Sequence, residues 1–418
     1  MSRRALWRGT LALAAAAAII VPLSACSTDP EGAGKTTIEL FQNKTEAIGT
    51  VNKLIAEFEK THPKIRVIQT SVQDSVTVLK SRLAKENPPD LIALNVSAYY
   101  DLAQAEVLKD LSKTEAFAAV SDTSSLEYMR EAGQTKQDLA VPWATNAQTV
   151  FYNVDEYNKY GLSVPTTWAE FIHNAQVIKD AHGVPFSFGW KDNWSSMALV
   201  NSVVASGKPV DLLAQLQQGK TTFETQPQWK IATAAMLDLK KFAQPDPWGA
   251  NYDTSLANFA NGDSAMYVDG TWAIPTIRQS NPDLKFGVFV MPSPDPAAET
   301  KAPAGPDSFL SISSDTKHPV EAQEFLDFLL SAPAQKTYAD GQSLFSVRGD
   351  VSSDDPLMEQ LKTEWIDTRK TATYSDGYFF GGTNYRAITW TYLNSGKQTA
   401  FLRALDRDFA TYGLRPGN

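Results

Sequence analysis

From Thr36 onward, short apolar runs alternate with segments whose apolar residues recur at helical spacing. Residues 38–41, 65–68 and 91–94 predict buried strands. Between them, Val51, Leu54, Ile55 and Phe58 share one helical face, as do Val76, Leu79 and Leu83, and Thr61-His62-Pro63 and Pro88-Pro89 punctuate the pattern. Strand–helix alternation predicts parallel βαβ units with helices on both faces of a sheet, a class that binds ligands beyond the carboxyl ends of its strands. That rule singles out Gln42-Asn43-Lys44 after the first strand and Asn95 after the third.

The pattern changes between Leu139 and Ala181. Runs 139–141 and 147–152 predict two strands flanking a loop, Pro142 to Asn146. A helix follows with a clear start: Pro165 sets an extended lead-in, and Thr167 with Glu170 has capping-box spacing. Trp168, Phe171, Ile172, Ala175 and Ile178 then form one apolar face. We read this stretch as the place where the chain leaves one lobe for a second, with Trp143 and Asn146 exposed at the crossing. Downstream, 184–189 predicts a strand ending at Trp190-Lys191-Asp192-Asn193-Trp194, and 197–204, 228–242 and 251–261 predict helices. Strand 265–268 runs into Asp269-Gly270-Thr271-Trp272, and strand 286–290 precedes a segment, 292–306, whose five prolines deny it regular structure. That segment is the expected second crossing. Residues 309–312 and the helix 320–330 would return to the first lobe, a third crossing falls near Pro333, and the chain finishes in helices including 385–393 and 399–410.

Composition adds an address. Arg3, Arg4 and Arg8 precede an Ala-rich apolar core, 11–21, too short to stay as a membrane-spanning helix, so it reads as a signal peptide. Leu23-Ser24-Ala25-Cys26 resembles a bacterial lipobox, which makes Cys26, the sole cysteine, the expected lipidation site and excludes an intramolecular disulfide. Ser2-Arg3-Arg4-Ala5-Leu6 also suits twin-arginine export, and an ordinary basic leader equally. Removing residues 1–25 takes away three arginines and no acids, leaving 35 basic against 47 acidic residues, a charge of −12. That balance argues against nucleic acid and against charge-driven adhesion to an anionic membrane. Residues 26–35 suit a flexible tether, the length that follows suits two domains, and no further run approaches eighteen apolar residues.

Several blocks, in order, resemble one family: TIELF, LIAEFEKTHPKIRV, NPPDLIALN, VPWATNAQTVFYNVDEY, GLSVPTTWAEF, FANGDSAMYVDGTW and GPDSFLSIS. They are similar to the family 1 extracellular solute-binding proteins of sugar-importing ABC transporters, from about Thr36 to about Val347. The resemblance implies a two-lobed α/β fold of the periplasmic-binding-protein type (type II, maltodextrin-binder-like) with a hinged interlobe cleft. Lobe 1 would comprise 36–145 and 300–333, and lobe 2 146–299 and 334–418. It implies a monomer without cofactor or metal, lipid-anchored outside the cytoplasm. Such a protein closes over a carbohydrate and presents it, unaltered, to permease subunits powered by a separate ATPase.

The side chains suit a sugar. A pyranose offers apolar faces to aromatic rings and a rim of hydroxyls to carboxylates, amides and cations. No tryptophan lies between Trp7 and Trp143, yet nine occur from Trp143 onward. Several stand beside polar partners: Trp143 near Asn146, Trp190 and Trp194 around Asp192, Trp272 beside Asp269. The first lobe would add Asn43, Lys44 and Asn95. Asp307, in Gly305-Pro306-Asp307-Ser308, and Phe379, in an aromatic cluster at 378–380, complete the candidates. Each has a packing alternative: tryptophans at a junction can fill a hinge, Asp269 and Asp307 can cap turns, and Phe379 can cover an edge. Trp168 and Trp229, on helix faces, are expected in the core. Asn146 aligns with a polar cleft position of maltodextrin binders where an acid is usual.

Other functions fit less well. A glycoside hydrolase needs two carboxylates facing one bond, and no hydrolase motif surrounds Asp192 or Asp269. There is no G-x-S-x-G and no Walker glycine loop, and His62, His173, His182 and His318 are scattered. The rival ligand is a cation such as a polyamine, which acids boxed by tryptophans would also hold through cation–π contact.

Overall fold

Among the described residues, ten strands account for the sheet: β1 (Thr36–Gln42), β2 (Ile65–Ser71), β3 (Leu91–Asn95), β4 (Val141–Asn153), β5 (Phe186–Ser187), β6 (Met266–Gly270), β7 (Phe286–Phe289), β8 (Ala302–Ile312), β9 (Phe345–Ser346) and β10 (Thr371–Ala372). They belong to a computed structural model that describes residues 34–72, 74–207, 211–379 and 382–413. The leader, Cys26 and most of the tether lie outside the described residues. Among those residues no helix is long and apolar enough to cross a membrane.

The predicted alternation forms the first lobe. β1 pairs in parallel with β2 and β3. Along β3, Leu91 and Ala93 enter one core while Ile92 and Leu94 enter the other, so both faces of the sheet are covered and the strand reads as continuously apolar. The helix Ile48–Thr61 buries the expected stripe of Val51, Leu54, Ile55 and Phe58 against it. The second lobe repeats the scheme on the other half of the sheet. β6 alternates Met266 and Val268 with Tyr267 between its two cores, and the capping box predicted at Thr167 and Glu170 starts the helix Trp168–Asp180. The helix Ser196–Ala205 is buried on every side, which is why its sequence is apolar all round.

The path β2-β1-β3-β8-β4-β6-β5 is continuous because β4 and β8 serve both lobes. β4, at 13 residues, spans about 43 Å, enough to run from one core into the next. Its Trp143 and Ala144 pack in the first-lobe core and its Ala147 and Phe151 in the second. The molecule is thus a two-lobed α/β protein joined by shared strands.

Four expectations are corrected. Residues 142–146 are part of β4 rather than a loop, because the pairing with β8 shifts register between Pro142 and Thr145 and absorbs the missing proline donor. Residues 302–306 are strand, not irregular: Pro306 stands opposite Thr145 beside those register shifts, and Pro303 lies against the two-residue β10. The first-lobe return begins inside β8, since Ala302 packs in the second lobe while Leu310 and Ile312 pack in the first. The third crossing comes later than Pro333, which sits in the first turn of the helix Ala332–Gln342, where proline is tolerated. Ala334, Tyr338, Leu344 and Val347 pack in the first lobe, and Met358 and Leu361 in the second.

Candidate functional site

At the carboxyl end of β1 the chain turns at Asn43 and Lys44, next to the point where β4 and β8 cross between lobes. Lys44 Nζ lies 2.5 Å from Asp307 Oδ2. The other oxygen of Asp307 accepts a hydrogen bond of 2.7 Å from Asn146 Nδ2. Asn146 Oδ1 in turn accepts from the hydroxyl of Tyr374, which also reaches the Asn146 carbonyl at 3.1 Å. Burial holds the Tyr374 phenol far above its ordinary range, so it remains a donor. The Lys44 and Asp307 side chains are only 11% and 5% exposed, so their charges are largely withdrawn from water and balanced by each other. Asn43 Oδ1 is buried without a hydrogen-bond partner, a group with unused capacity beside this network. Asn95 is exposed at the end of β3, paired in register with Ser308 and so adjacent to Asp307.

The opposing wall belongs to the second lobe. Asp269, expected after a strand, is a strand residue near the end of β6 and is buried. It accepts 2.9 Å bonds from the Tyr267 hydroxyl and the Gly270 amide, and a further one from Tyr252. Burial outweighs these bonds and pushes its carboxyl up to about 7, with Glu46 of the first lobe adding a repulsive charge. Tyr252 links Asp269 to Trp272 by hydrogen bonds through its own hydroxyl, which burial keeps protonated. The half-buried Trp272 packs against the cores of both lobes, and its ring covers Gly270 so closely that any Cβ there would strike it. On the other side of Tyr252, Trp194 is 39% exposed, its ring 4.7 Å away and tilted by 40°. Asp192 ties the same corner together, accepting 2.9 Å from the Tyr252 amide.

Nine of the twelve predicted positions therefore flank the crossing: Asn43, Lys44, Asn95, Asn146 and Asp307 on one side, Asp192, Trp194, Asp269 and Trp272 on the other. Three do not. Trp143 is 2% exposed and stacks on Tyr338 at 3.9 Å inside the first-lobe core. Trp190 is 1% exposed, stacked on Phe188 and against Trp248. Phe379 packs among Phe223, Tyr385 and Phe409. In each case neighbouring rings complete a core and leave no face for a ligand. Asn146 is likewise buried rather than exposed at the crossing, because the Asp307–Tyr374 network encloses it. Trp229 is core, as expected, and Trp168 is partly buried against it. Tyr252 and Tyr374 were not anticipated. Tyr252 opens a predicted helix directly after its cap, Asn251, a faint signal, whereas nothing local marks Tyr374.

Comparison with known proteins agrees with this architecture. The family described as bacterial extracellular solute-binding protein matches residues 43–336. The multiple sugar-binding protein of Streptococcus mutans is 30% identical over 392 residues, covering 87% of this chain and 90% of that relative. The melibiose/raffinose/stachyose-binding protein MelE of Bacillus subtilis is 22% identical over 361 residues, 80% of each chain. Among solved structures, RafE in complex with raffinose superposes with a TM-score of 0.76 at 26% identity, over 90% of this chain and 99% of RafE. The ligand-free RafE of Streptococcus pneumoniae gives 0.73 at 25% identity, over 90% and 97%. This chain belongs to the bacterial extracellular solute-binding proteins.

Proposed function

We propose that the chain is the substrate-binding lipoprotein of an ABC importer: it captures a mono- or oligosaccharide between its lobes and passes it unaltered to a membrane permease driven by a separate ATPase. The observation that carries this reading is the pairing of two unlike walls across β4 and β8, one of polar and charged groups around Lys44, Asn146 and Asp307, the other of Trp194, Tyr252 and Trp272 around Asp269. A pyranose matches both, hydroxyls to the first and ring faces to the second. The sugar-binding relatives of similar length support the same ligand class. Asn43, Lys44, Asn95, Asn146, Asp192, Trp194, Asp269, Trp272 and Asp307 are the proposed contacts. The lobes divide at about 145/146, 305/306 and 347/348, and a monomer tethered through acylated Cys26 does the binding.

Titrating the purified protein with mono- and oligosaccharides while following tryptophan emission should give a saturable change for at least one sugar. A response to polyamines alone, abolished by salt, or the appearance of shortened saccharides would overturn the proposal. Cys26→Ser should release the protein from the membrane fraction; continued retention would remove the anchor.

A further inference from the structure

The helix Ser196–Ala205, buried on every side in the second-lobe core, carries a single side-chain amide in its middle, Asn201. An amide in an apolar core costs stability unless its bonds are met, and those of Asn201 are all spent in one direction. Its Oδ1 accepts from the Ser375 amide at 2.8 Å and from the Ser375 hydroxyl at 2.6 Å, and its Nδ2 donates to Asp376 Oδ1 at 3.3 Å. Having given its proton to Asn201, the Ser375 hydroxyl accepts at 2.8 Å from Tyr385, whose phenol burial keeps protonated. Asn201, Ser375 and Tyr385 are all buried. Together these bonds seat the segment that carries Tyr374. The Tyr374 ring lies over Gly305, where an added Cβ would come within 3.4 Å of it, and Gly305 stands opposite Asn146 in the β4–β8 register. From there the Tyr374 hydroxyl serves the Asn146 carbonyl, at 3.1 Å, and its side-chain oxygen. With Oδ1 so engaged, Asn146 Nδ2 faces Asp307 and donates 2.7 Å to it, beside Lys44. Hydrogen bonds and the peptide link between Tyr374 and Ser375 therefore lead from the interior of the second lobe to the polar wall of the first.

We infer that Asn201 is a positioning residue for the sugar site: from inside the second-lobe core it seats Ser375 and Tyr374, whose hydroxyl fixes the Asn146 amide and, through it, the Asp307 carboxylate. The inference rests on the sugar reading above and adds a residue that acts only through others. Without the Tyr374 donor the amide is free to turn its oxygen toward Asp307, where two acceptors would face each other and the carboxylate would lose its fixed orientation. The polar wall of the first lobe is thus set from the second. Asn201 lies in an apolar run 174 positions from Ser375, so nothing local in the sequence marks it.

The test compares Asn201→Ala, Tyr374→Phe and the double variant by calorimetric titration with whichever of melibiose, raffinose, stachyose and maltotriose binds the unaltered protein most tightly. Each single variant should weaken that sugar about fivefold, and the double variant no more than Tyr374→Phe alone, because the two residues act in series. Ser375→Ala, which keeps the backbone bond to Asn201 and loses only the hydroxyl, is the milder second probe, with an expected loss of about twofold. With asparagine labelled for NMR, the Asn146 side-chain amide signal, identified by its loss in Asn146→Ala, should shift in Asn201→Ala as it does in Tyr374→Phe. Losses that multiply to about twenty-fivefold in the double variant, or a lowered melting temperature with affinity and the Asn146 signal unchanged, would overturn the role of Asn201 while leaving the sugar reading intact. Absence of binding by every sugar to the unaltered protein would overturn both.

Discussion

The two walls beside the crossing strands handle their polar groups in opposite ways. In the first-lobe wall the charges are paired within the protein, Lys44 to Asp307 and Asp307 to Asn146, with little exposure. In the second, the buried carboxyl of Asp269 faces no cation among the described residues and burial pushes it up to about 7, under a row of rings that reaches solvent at Trp194. On the proposed sugar reading, one wall would be a fixed template whose bonds orient a ligand's hydroxyls, and the other apolar area available for burial. On that proposal, binding specificity and binding energy are separated between the lobes, and a ligand that touched both would favour whichever lobe arrangement brings them together.

The largest effect should come from breaking the template. Asp307→Ala leaves the Lys44 ammonium and the Asn146 amide buried without their shared acceptor, and should lower the unfolding free energy by about 3–5 kcal/mol in urea titrations. The double variant Lys44→Met/Asp307→Leu removes both charges and should recover most of that loss. If Asp307→Ala costs no more than a surface substitution, the pair is solvated and the contrast between walls disappears. Next in size is the apolar wall itself: Trp272→Ala should reduce sugar affinity by about 1–3 kcal/mol. Affinity left intact alongside a lowered melting temperature would make Trp272 a packing residue between the two cores.

The raised carboxyl of Asp269 predicts a pH dependence of definite sign. An Asp with an ordinary value near 4 in the unfolded chain and about 7 in the folded one binds more protons when folded across that interval. Its contribution to stability is therefore full below about pH 4 and falls as pH rises toward and through 7, by up to about 1.4 kcal/mol per pH unit. Asp269→Asn should flatten that part of the profile measured by chemical denaturation at successive pH values. A profile unchanged by the substitution would mean that Asp269 is ionised throughout, with the second wall as charged as the first.

Much of the frame was legible because it is written in local patterns. The stripe from Val51 to Phe58, the runs that became β1 to β3 and the Thr167–Glu170 cap depend on residues within a turn or two of one another. The site was only partly legible because its contacts are not local. Asn146 meets Asp307 across 161 positions and Tyr374 across 228. The prolines of 142–146 and 302–306 looked like breakers because their effect depends on the opposite strand, where a register shift absorbs them. Composition also failed to separate Trp190 from Trp194: both flank Asp192, yet one is 1% and the other 39% exposed, since Phe188 and Trp248 close over the first while the ring of Tyr252 meets the second at an angle.

That pair of tryptophans supplies the finest test of the contrast. Among the described residues Trp194 has one aromatic neighbour, and it is 39% exposed, so Trp194→Ala should change stability by no more than about 0.5 kcal/mol, as for a surface position. Its value to a ligand is the face now in water; losing it should weaken sugar binding by about 1 kcal/mol, roughly fivefold. The same face should be open to acrylamide quenching in the free protein and shielded at saturating sugar, and the quenchable, red-shifted part of the emission should vanish in Trp194→Ala. Quenching indifferent to sugar, together with a stability loss of core magnitude, would show that the second wall is closed packing rather than a platform, and the division of roles between the lobes would then rest on Trp272 alone.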